Sequence, residues 1–493
     1  MRWQWGLVLI VAFAVRLWAV GDHGPWTDEW LTLHTARGVL QHQTPGVIGQ
    51  PKGSESQAGV RGVMAACMAT DNGNGIAYFV LLHYWTTLFA SSDVALRVPS
   101  VLFGLLVVYL SLLVSTKLFG PGIGVASGVL VATNPLLVRY SQEGRAYAMA
   151  TALVIAATWF LLSLLDGKRA LWRALAYGTC AALALLCHYL TVGVLAAQWL
   201  VFVVANPTRR SVSAAAIGGL WAAGLVLCWL IGLGGAEGLT GMARVSAEYA
   251  QRAKSPASTE IFALPANMAN VSRGLVQVGS SMVGNMLQGL GWRLREVTWM
   301  LLVPGAALLG WCYQRERWRA SHLVWAGALA GLLLPTALAL RSGHVISFQP
   351  LYSSFATPFA NMVLAVGAAG LWRVCRRWAV AVLCLQAAIV TLSLVGVWID
   401  APRYRPANPY PRLVLELQRA AERGAIVEFP SAVVANRVSL YWHGVAPFHL
   451  GDGTAIRILP DHGHPVSVPI PSDPYTALPT RRSVGPFRTL AEQ

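Results

Sequence analysis

The sequence predicts an α-helical polytopic membrane protein with about eleven spans and a small α/β domain at its carboxyl end. Three observations carry that expectation. Hydrophobic residues make up 55% of the 493-residue chain and charged residues only 12%, more apolar surface than one soluble core can hide. Apolar runs near ~20 residues, the length that crosses a bilayer, recur along most of the chain. Basic residues fall in short clusters between those runs, as they do in cytoplasmic membrane loops. The formal charge of +16 therefore reports topology, and nucleic-acid binding is excluded as a reading of it.

Taken in order, Arg2 precedes the first apolar run and Asp22, Asp28 and Glu29 follow it, so the amino terminus is expected in the cytoplasm. The run carries Arg16 and lacks a small-residue cleavage site, which reads as a retained anchor. A polar outer loop, 21–95, follows. Its amphipathic pieces are 29–40 and 76–90. The second, IAYFVLLHYWTTLFA, carries His83, Tyr84 and Trp85 and is expected along the membrane surface, where Trp and Tyr rings favour the interface. Read as a full span instead, it would put Arg97 and the later basic loops on the wrong side. Spans are predicted at 98–116, 122–138, 146–165, 171–187, 190–205 and 212–233. A second outer loop, 234–296, contains a weakly apolar stretch interrupted by Arg273 and several asparagines, too polar to face lipid. Further spans are predicted at 297–313, 323–340, 355–371 and 379–398. This division makes 1–398 the membrane domain and 399–493 a separate outer domain, with a helix at 411–423, a strand at 425–429 and a Pro-rich end. The cysteines show neither a disulfide framework nor zinc-ligand spacing. Arginine exceeds lysine, and the chain is placed in a bacterial inner (plasma) membrane.

The topology gathers polar residues of distant segments at the outer ends of the helices: Asp28, Glu29, His83, Arg97, Arg139, Glu143, Arg145, His188, Arg341 and His344. Any one of them alone is also readable as a solvated or snorkelling interface residue. Charges facing a shared cavity in a membrane are costly and mark function. Sugar transfer from a lipid phosphate needs a base that strips the acceptor hydroxyl and cations that hold the leaving phosphate. Carboxylates at the membrane edge with several arginines supply both. No Gly-rich phosphate loop of a nucleotide-dependent enzyme is present.

The runs VRLWAVGDHGPWTDEW, YFVLLHYWTTLFASSDVALRVPSVLFGLL, NPLLVRYSQEGRAYAMA and LLCHYLTVG, in that order and spacing, resemble the lipid-phosphate-sugar glycosyltransferases of the GT-C fold. These include the protein O-mannosyltransferases and the aminoarabinose transferase of lipid A. The resemblance covers the first 200 residues and reaches the later helices through architecture alone. It implies an outward-facing cavity, interfacial helices in the first loop, a polyprenyl-phosphate sugar donor such as undecaprenyl phosphate, and inversion at the sugar. It implies Asp28 as general base, Glu29 and Glu143 as further catalytic acids, and Arg97 in a structural or phosphate-binding role. Arg145, Tyr147 and His188 keep their places among the substrate-binding residues, with His83 and Arg139 beside them. Two departures stand out. The Pro-Pro element of relatives is replaced by Asp71-Asn72-Gly73-Asn74-Gly75, which is expected to be looser. A late Pro-Arg-Tyr element reads Pro350-Leu351-Tyr352, so Tyr352 is retained while Arg341 or His344 is expected to supply the missing cation.

Two readings from other classes compete. One is a transporter or flippase using the same charges as a path, against which stands the lack of internal inverted symmetry. The other is a non-catalytic glycan-binding scaffold. The acceptor is an outer-face glycan, lipid or protein that the sequence does not name, as it does not name the sugar. No cofactor or obligatory metal is expected, although Asp28, Glu29 and Asp71 are oxygen ligands of the right type for a divalent ion.

Overall fold

The computed structural model describes residues 2–38, 47–48, 59–89, 92–165, 171–204, 208–254, 264–286, 318–404, 410–430, 434–435, 438, 446–451, 455–459 and 465–468. The described chain forms two compact units, Met1–Trp18 with Ser100–Ile399, and Ala19–Pro99 with Asp400–Pro486. The first outer loop therefore groups with the tail, whereas the division at 398/399 placed it with the membrane helices.

The helical unit contains α1 (Arg2–Leu17), most of α5 (Asp93–Phe119), α6 (Pro121–Thr133), α7 (Pro135–Ser141), α8 (Tyr147–Leu165), α9 (Leu171–Cys187), α10 (Thr191–Val204) and α11 (Arg209–Leu227), which continues as a π turn, Cys228–Gly232. After these come α12 (Gly235–Ala253), α13 (Met268–Met282), α14 (Trp318–Ser342), α15 (Thr357–Val374) and α16 (Arg376–Tyr404), with short 3₁₀ turns at Ile346–Phe348 and Pro350–Ser353. The chain is a multi-pass membrane protein: among the described residues five helices are long and apolar enough to cross a bilayer, or six if the bent pair α6 and α7 is one span. About eleven spans were expected. For three of the expected spans the difference is length: α1, α9 and α10 have 16, 17 and 14 helical residues, short of the ~20 that a full crossing takes. The span expected at 297–313 lies outside the described residues.

Three elements differ from their sequence reading for local reasons. The span predicted from residue 98 begins at Asp93, because the Ser92 hydroxyl caps it by accepting the Ala95 N–H at 3.0 Å. The span predicted at 122–138 is broken, and α6 and α7 meet at 58°. Asn134 is extended there, and its side chain accepts the N–H groups of Leu136 and Leu137. The second outer loop carries the helices α12 and α13, the latter capped by the Asn267 side chain.

The smaller unit holds α2 (Thr27–Ala36), α3 (Val60–Asp71), α4 (Ile76–Phe89), α17 (Tyr410–Ala421) and a five-stranded sheet. Its strands β1 (Val47–Ile48), β2 (Ile426–Phe429), β3 (Ala446–Leu450), β4 (Ile456–Leu459) and β5 (Val466–Val468) run in the order β1-β3-β2-β4-β5. Only β2 and β3 pair parallel. One edge strand, β1, comes from the first outer loop, which ties that loop to the tail. The amphipathic α17 buries Leu413, Val414, Leu417 and Ala420, spaced as one helix face, and packs on β2. The segment 71–75 is a compact turn and not the loose loop expected: Asn72, Gly73 and Gly75 take positive φ, and the Gly73 N–H reaches Cys67 O at 3.1 Å.

In the helical unit α9 and α11 cross through glycines. A Cβ on Gly178 would collide with the Gly218 carbonyl, and one on Gly218 with that of Ala174. Such small-residue crossings let backbones approach closely in membranes. Gly178→Leu is expected to force the pair apart at about 1–3 kcal/mol, read as a lowered thermal midpoint of the purified full chain; an unchanged midpoint contradicts this packing.

Candidate functional site

The smaller unit places the acidic pair at the start of α2. Trp26 precedes the helix in extended conformation, and the Glu29 carboxylate accepts its N–H at 3.3 Å. Arg97 then closes on Glu29 with two parallel bonds of 2.8 Å, Nε to Oε1 and Nη2 to Oε2. The remaining donors of Arg97 reach the carbonyls of Val20 at 2.7 Å, His23 at 2.9 Å and Gly24 at 3.0 Å. All five guanidinium N–H groups are thus engaged, and both side chains are 0% exposed. The Glu29 carboxylate and the Arg97 guanidinium are thus engaged with each other and with the backbone of 20–26. Together they fold 20–29 into one conformation and hold the neighbouring Asp28, which is half-buried. His83 Nδ1 lies 2.8 Å from Ala36 O at the end of α2.

The helical unit builds a second polar cluster around the α7–α8 turn. Arg139 Nε meets Glu143 Oε1 at 3.2 Å across one helical turn, both side chains largely buried. The Arg145 N–H bonds Glu143 O at 2.7 Å, and Ser100 Oγ donates to Arg145 O at 3.2 Å. The Arg145 guanidinium lies 5.9 Å from the Tyr147 ring. Aromatic rings continue from there: Tyr147 to Tyr140 at 5.1 Å, Tyr147 to His188 at 5.7 Å, and His188 to Tyr352 and Phe355 at 5.5 and 5.0 Å. His188 sits in the turn between α9 and α10 and accepts the Leu190 N–H on Nδ1 at 3.3 Å. A nitrogen that accepts carries no proton, so the ring proton is on Nε2. Burial first, then the positive charge of Arg145, pushes this imidazole down to about 3.

The structure thus brings together Arg139, Glu143, Arg145, Tyr147, His188 and Tyr352, while Asp28 with Glu29 and Arg97 stands in the other unit. Arg341 and His344 take different places. Arg341 is exposed at the end of α14. His344 is buried, with Nε2 3.2 Å from Ser246 Oγ and its ring 5.9 Å from that of Tyr249, so it docks α12. Sequence reasoning missed Phe355, Asn134 and Gln142. Asn134 had a visible signal, an asparagine before a proline. Among the described residues no group of three or more His, Cys, Asp or Glu is arranged to hold a metal ion, and Glu29, one of the three oxygen ligands considered, is committed to Arg97.

Residues 74–231 match the family described as dolichyl-phosphate-mannose-protein mannosyltransferase. Among solved structures, ArnT from Cupriavidus metallidurans in the apo state aligns over 88% of this chain and 74% of its own, at TM-score 0.50 and 13% identity. The Archaeoglobus fulgidus oligosaccharyltransferase, in complex with Zn and sulfate, aligns over 90% of this chain and 57% of its own, at TM-score 0.52 and 12% identity. The fold is that of the GT-C glycosyltransferases. Curated protein sequences give no match. The chain spans little more than half the length of the archaeal GT-C protein. The family match includes Arg97, Arg139, Glu143, Arg145, Tyr147 and His188, and begins after Asp28 and Glu29.

Two outcomes follow. Arg97→Met leaves the Glu29 carboxylate buried without its cation, a loss of about 3–5 kcal/mol; the full chain should melt earlier and be nicked by protease between residues 19 and 38, and wild-type resistance there would contradict this. His188 is neutral when folded, whereas the unfolded chain takes a proton near pH 6.5. Its contribution is present above pH 6.5 and is lost as pH falls, by roughly 1.4 kcal/mol per pH unit. His188→Gln should flatten the pH dependence of the denaturation midpoint between pH 7 and 5, and an unchanged slope refutes the assignment.

Proposed function

We propose that this chain is an integral-membrane glycosyltransferase that moves one sugar from a polyprenyl-phosphate donor to an acceptor on the extracytoplasmic face. The observation that carries the reading is a half-buried Asp28 on the first turn of α2, held by the fully engaged Glu29–Arg97 pair, in a chain with the GT-C fold. The described family's name, dolichyl-phosphate-mannose-protein mannosyltransferase, supports a lipid-phosphate sugar as donor. Neither identity of the sugar nor length of the carrier enters the proposal, and the acceptor is a glycan, lipid or protein alcohol.

In the reaction proposed, Asp28 accepts the proton of the acceptor hydroxyl as its oxygen bonds to the anomeric carbon. The bond from that carbon to the donor phosphate breaks at the same time, the polyprenyl phosphate leaves with the electron pair, and the sugar inverts. General bases contribute 10²–10⁴-fold in such steps. Arg145 is assigned to the phosphate, as a guanidinium beside the Tyr147 ring in the stretch that resembles the lipid-phosphate-sugar enzymes. Arg139 and Glu143 set the turn that carries Arg145. The neutral His188 offers an Nε2–H to the donor, and Tyr147 and Tyr352 supply ring faces for a sugar. The amino terminus is assigned to the cytoplasm and the tail to the outer side of the plasma membrane, by the clusters of basic residues in the loops.

Asp28→Asn tests the reading in reconstituted full chain with polyprenyl-phosphate sugars. Transfer is expected to fall by roughly 10²–10⁴-fold with donor binding retained. Full transfer from this variant ends the proposal, and a scaffold would be indifferent to the change. Mass spectrometry of envelope glycans with and without the chain identifies the sugar.

A further inference from the structure

Pro135 has no N–H, so the carbonyl of Val131, four residues earlier, loses its helical partner. The N–H of Leu136, which would serve Ala132, is taken by the Asn134 side chain at 3.1 Å. A helix broken inside an apolar bundle thus leaves the carbonyls of Val131 and Ala132 without their helical partners, and lipid cannot replace them. Arg16, from α1, takes both. Its Nη1 donates to Ala132 O at 2.8 Å and its Nη2 to Val131 O at 3.4 Å. Nη1 also reaches Ala12 O at 3.2 Å, and Nε reaches Ser141 Oγ at 3.2 Å. Ser141 Oγ donates its own hydrogen bond to Leu137 O, so one guanidinium grips the end of α6 and the end of α7.

The grip is returned. Gln142 Nε2 donates to Arg16 O at 3.0 Å and Trp18 O at 2.7 Å, carbonyls left over at the carboxyl end of α1. Gly104 on α5 leaves the room: a Cβ there would stand 2.9 Å from Arg16 Nε and collide with the Ser141 side chain. A snorkelling arginine sends its head to water. Arg16 is 0% exposed and its head is bonded to the break.

We propose that Arg16 is a positioning residue: it sets the bend at Asn134 and thereby the placement of Arg139, Glu143 and Arg145. Its effect on turnover rests on the glycosyltransferase reading, but its effect on the turn does not. Amide hydrogen exchange of the full chain in detergent micelles separates the two. In Arg16→Met, residues 135–147 are expected to exchange roughly tenfold faster or more, the effect of losing hydrogen bonds to a charged donor, while α9 to α11 keep their protection. Arg16→Lys, a point charge without the planar fork, is expected to fall between. Gly104→Ala should loosen the same segment with the charge intact. In sugar transfer, Arg16→Met lowers kcat/KM and Arg16→Lys restores part of it. If the wild-type chain transfers no sugar from any polyprenyl-phosphate donor, the exchange result still decides the role of Arg16. Should Arg16→Met not fold, Arg16→Lys and Gly104→Ala decide it by the same readout. Exchange that is unchanged in 135–147, or accelerated evenly over every helix, overturns the proposal.

Discussion

In an apolar surrounding a backbone carbonyl or N–H without a partner is costly, and that constraint is met in the same way at three places among the described residues where the chain departs from a straight helix. Pro99 inside α5 frees the carbonyl of Ala95, and the Trp85 indole takes it at 2.8 Å. Pro135 frees Val131 O, and Arg16 takes it. The irregular segment after α1 presents the carbonyls of Val20, His23 and Gly24, and Arg97 takes all three. In each case a long donor side chain closes what the backbone leaves open. The breaks are affordable only because these donors are present.

That constraint sorts the charged residues by role. Arg97 and Glu29 look like a cation and an acid available for chemistry, but every guanidinium donor is engaged within the unit. A buried pair of this kind is weak evidence for stability, since desolvation offsets its attraction. Its worth is direction: a planar fork accepted by one carboxylate and three carbonyls admits one arrangement of the loop. Arg139 is partly engaged in the same way, through Glu143. Arg145 lies beside a tyrosine ring, and the function proposed above assigns it to the donor phosphate.

Much of this was legible in the sequence and some was not. Hydropathy located α5, α8, α11, α14, α15 and α16 within a few residues, because a long apolar run has few alternatives in a membrane. The acidic pair stood out because carboxylates beside an apolar run are costly. The break at Asn134 was not read, although Asn-Pro was visible, because hydropathy continues through it: α6 and α7 are both apolar, and only the backbone changes direction. Arg16 served only to read its run as a retained anchor, since sequence shows a charge near a helix end without showing whether its head meets water or carbonyls. The pairing of β1 with β3 had no signal at all. Two residues, Val47 and Ile48, form an edge strand on β3, some 400 positions away, and a two-residue run has no periodicity to detect.

The same need for satisfied backbone groups explains how the helical unit places its polar cluster without many charges. Met282 O, at the end of α13, accepts from the Asn134 side chain at 3.1 Å and from Asn361 on α15 at 3.0 Å. Val283 O accepts from Gln386 on α16 at 2.5 Å. Three amides from three elements thus converge on one helix end, next to the break that carries Arg139 and Glu143. Packing between alanines, glycines and leucines fixes the distance between helices but lets them slide, because one apolar ridge is much like the next. A hydrogen bond to a particular carbonyl does not slide. Side-chain amides and one guanidinium, bonded to carbonyls that helix ends and prolines leave open, therefore fix the register of α7 against its neighbours, and the residues assigned to the donor inherit that register.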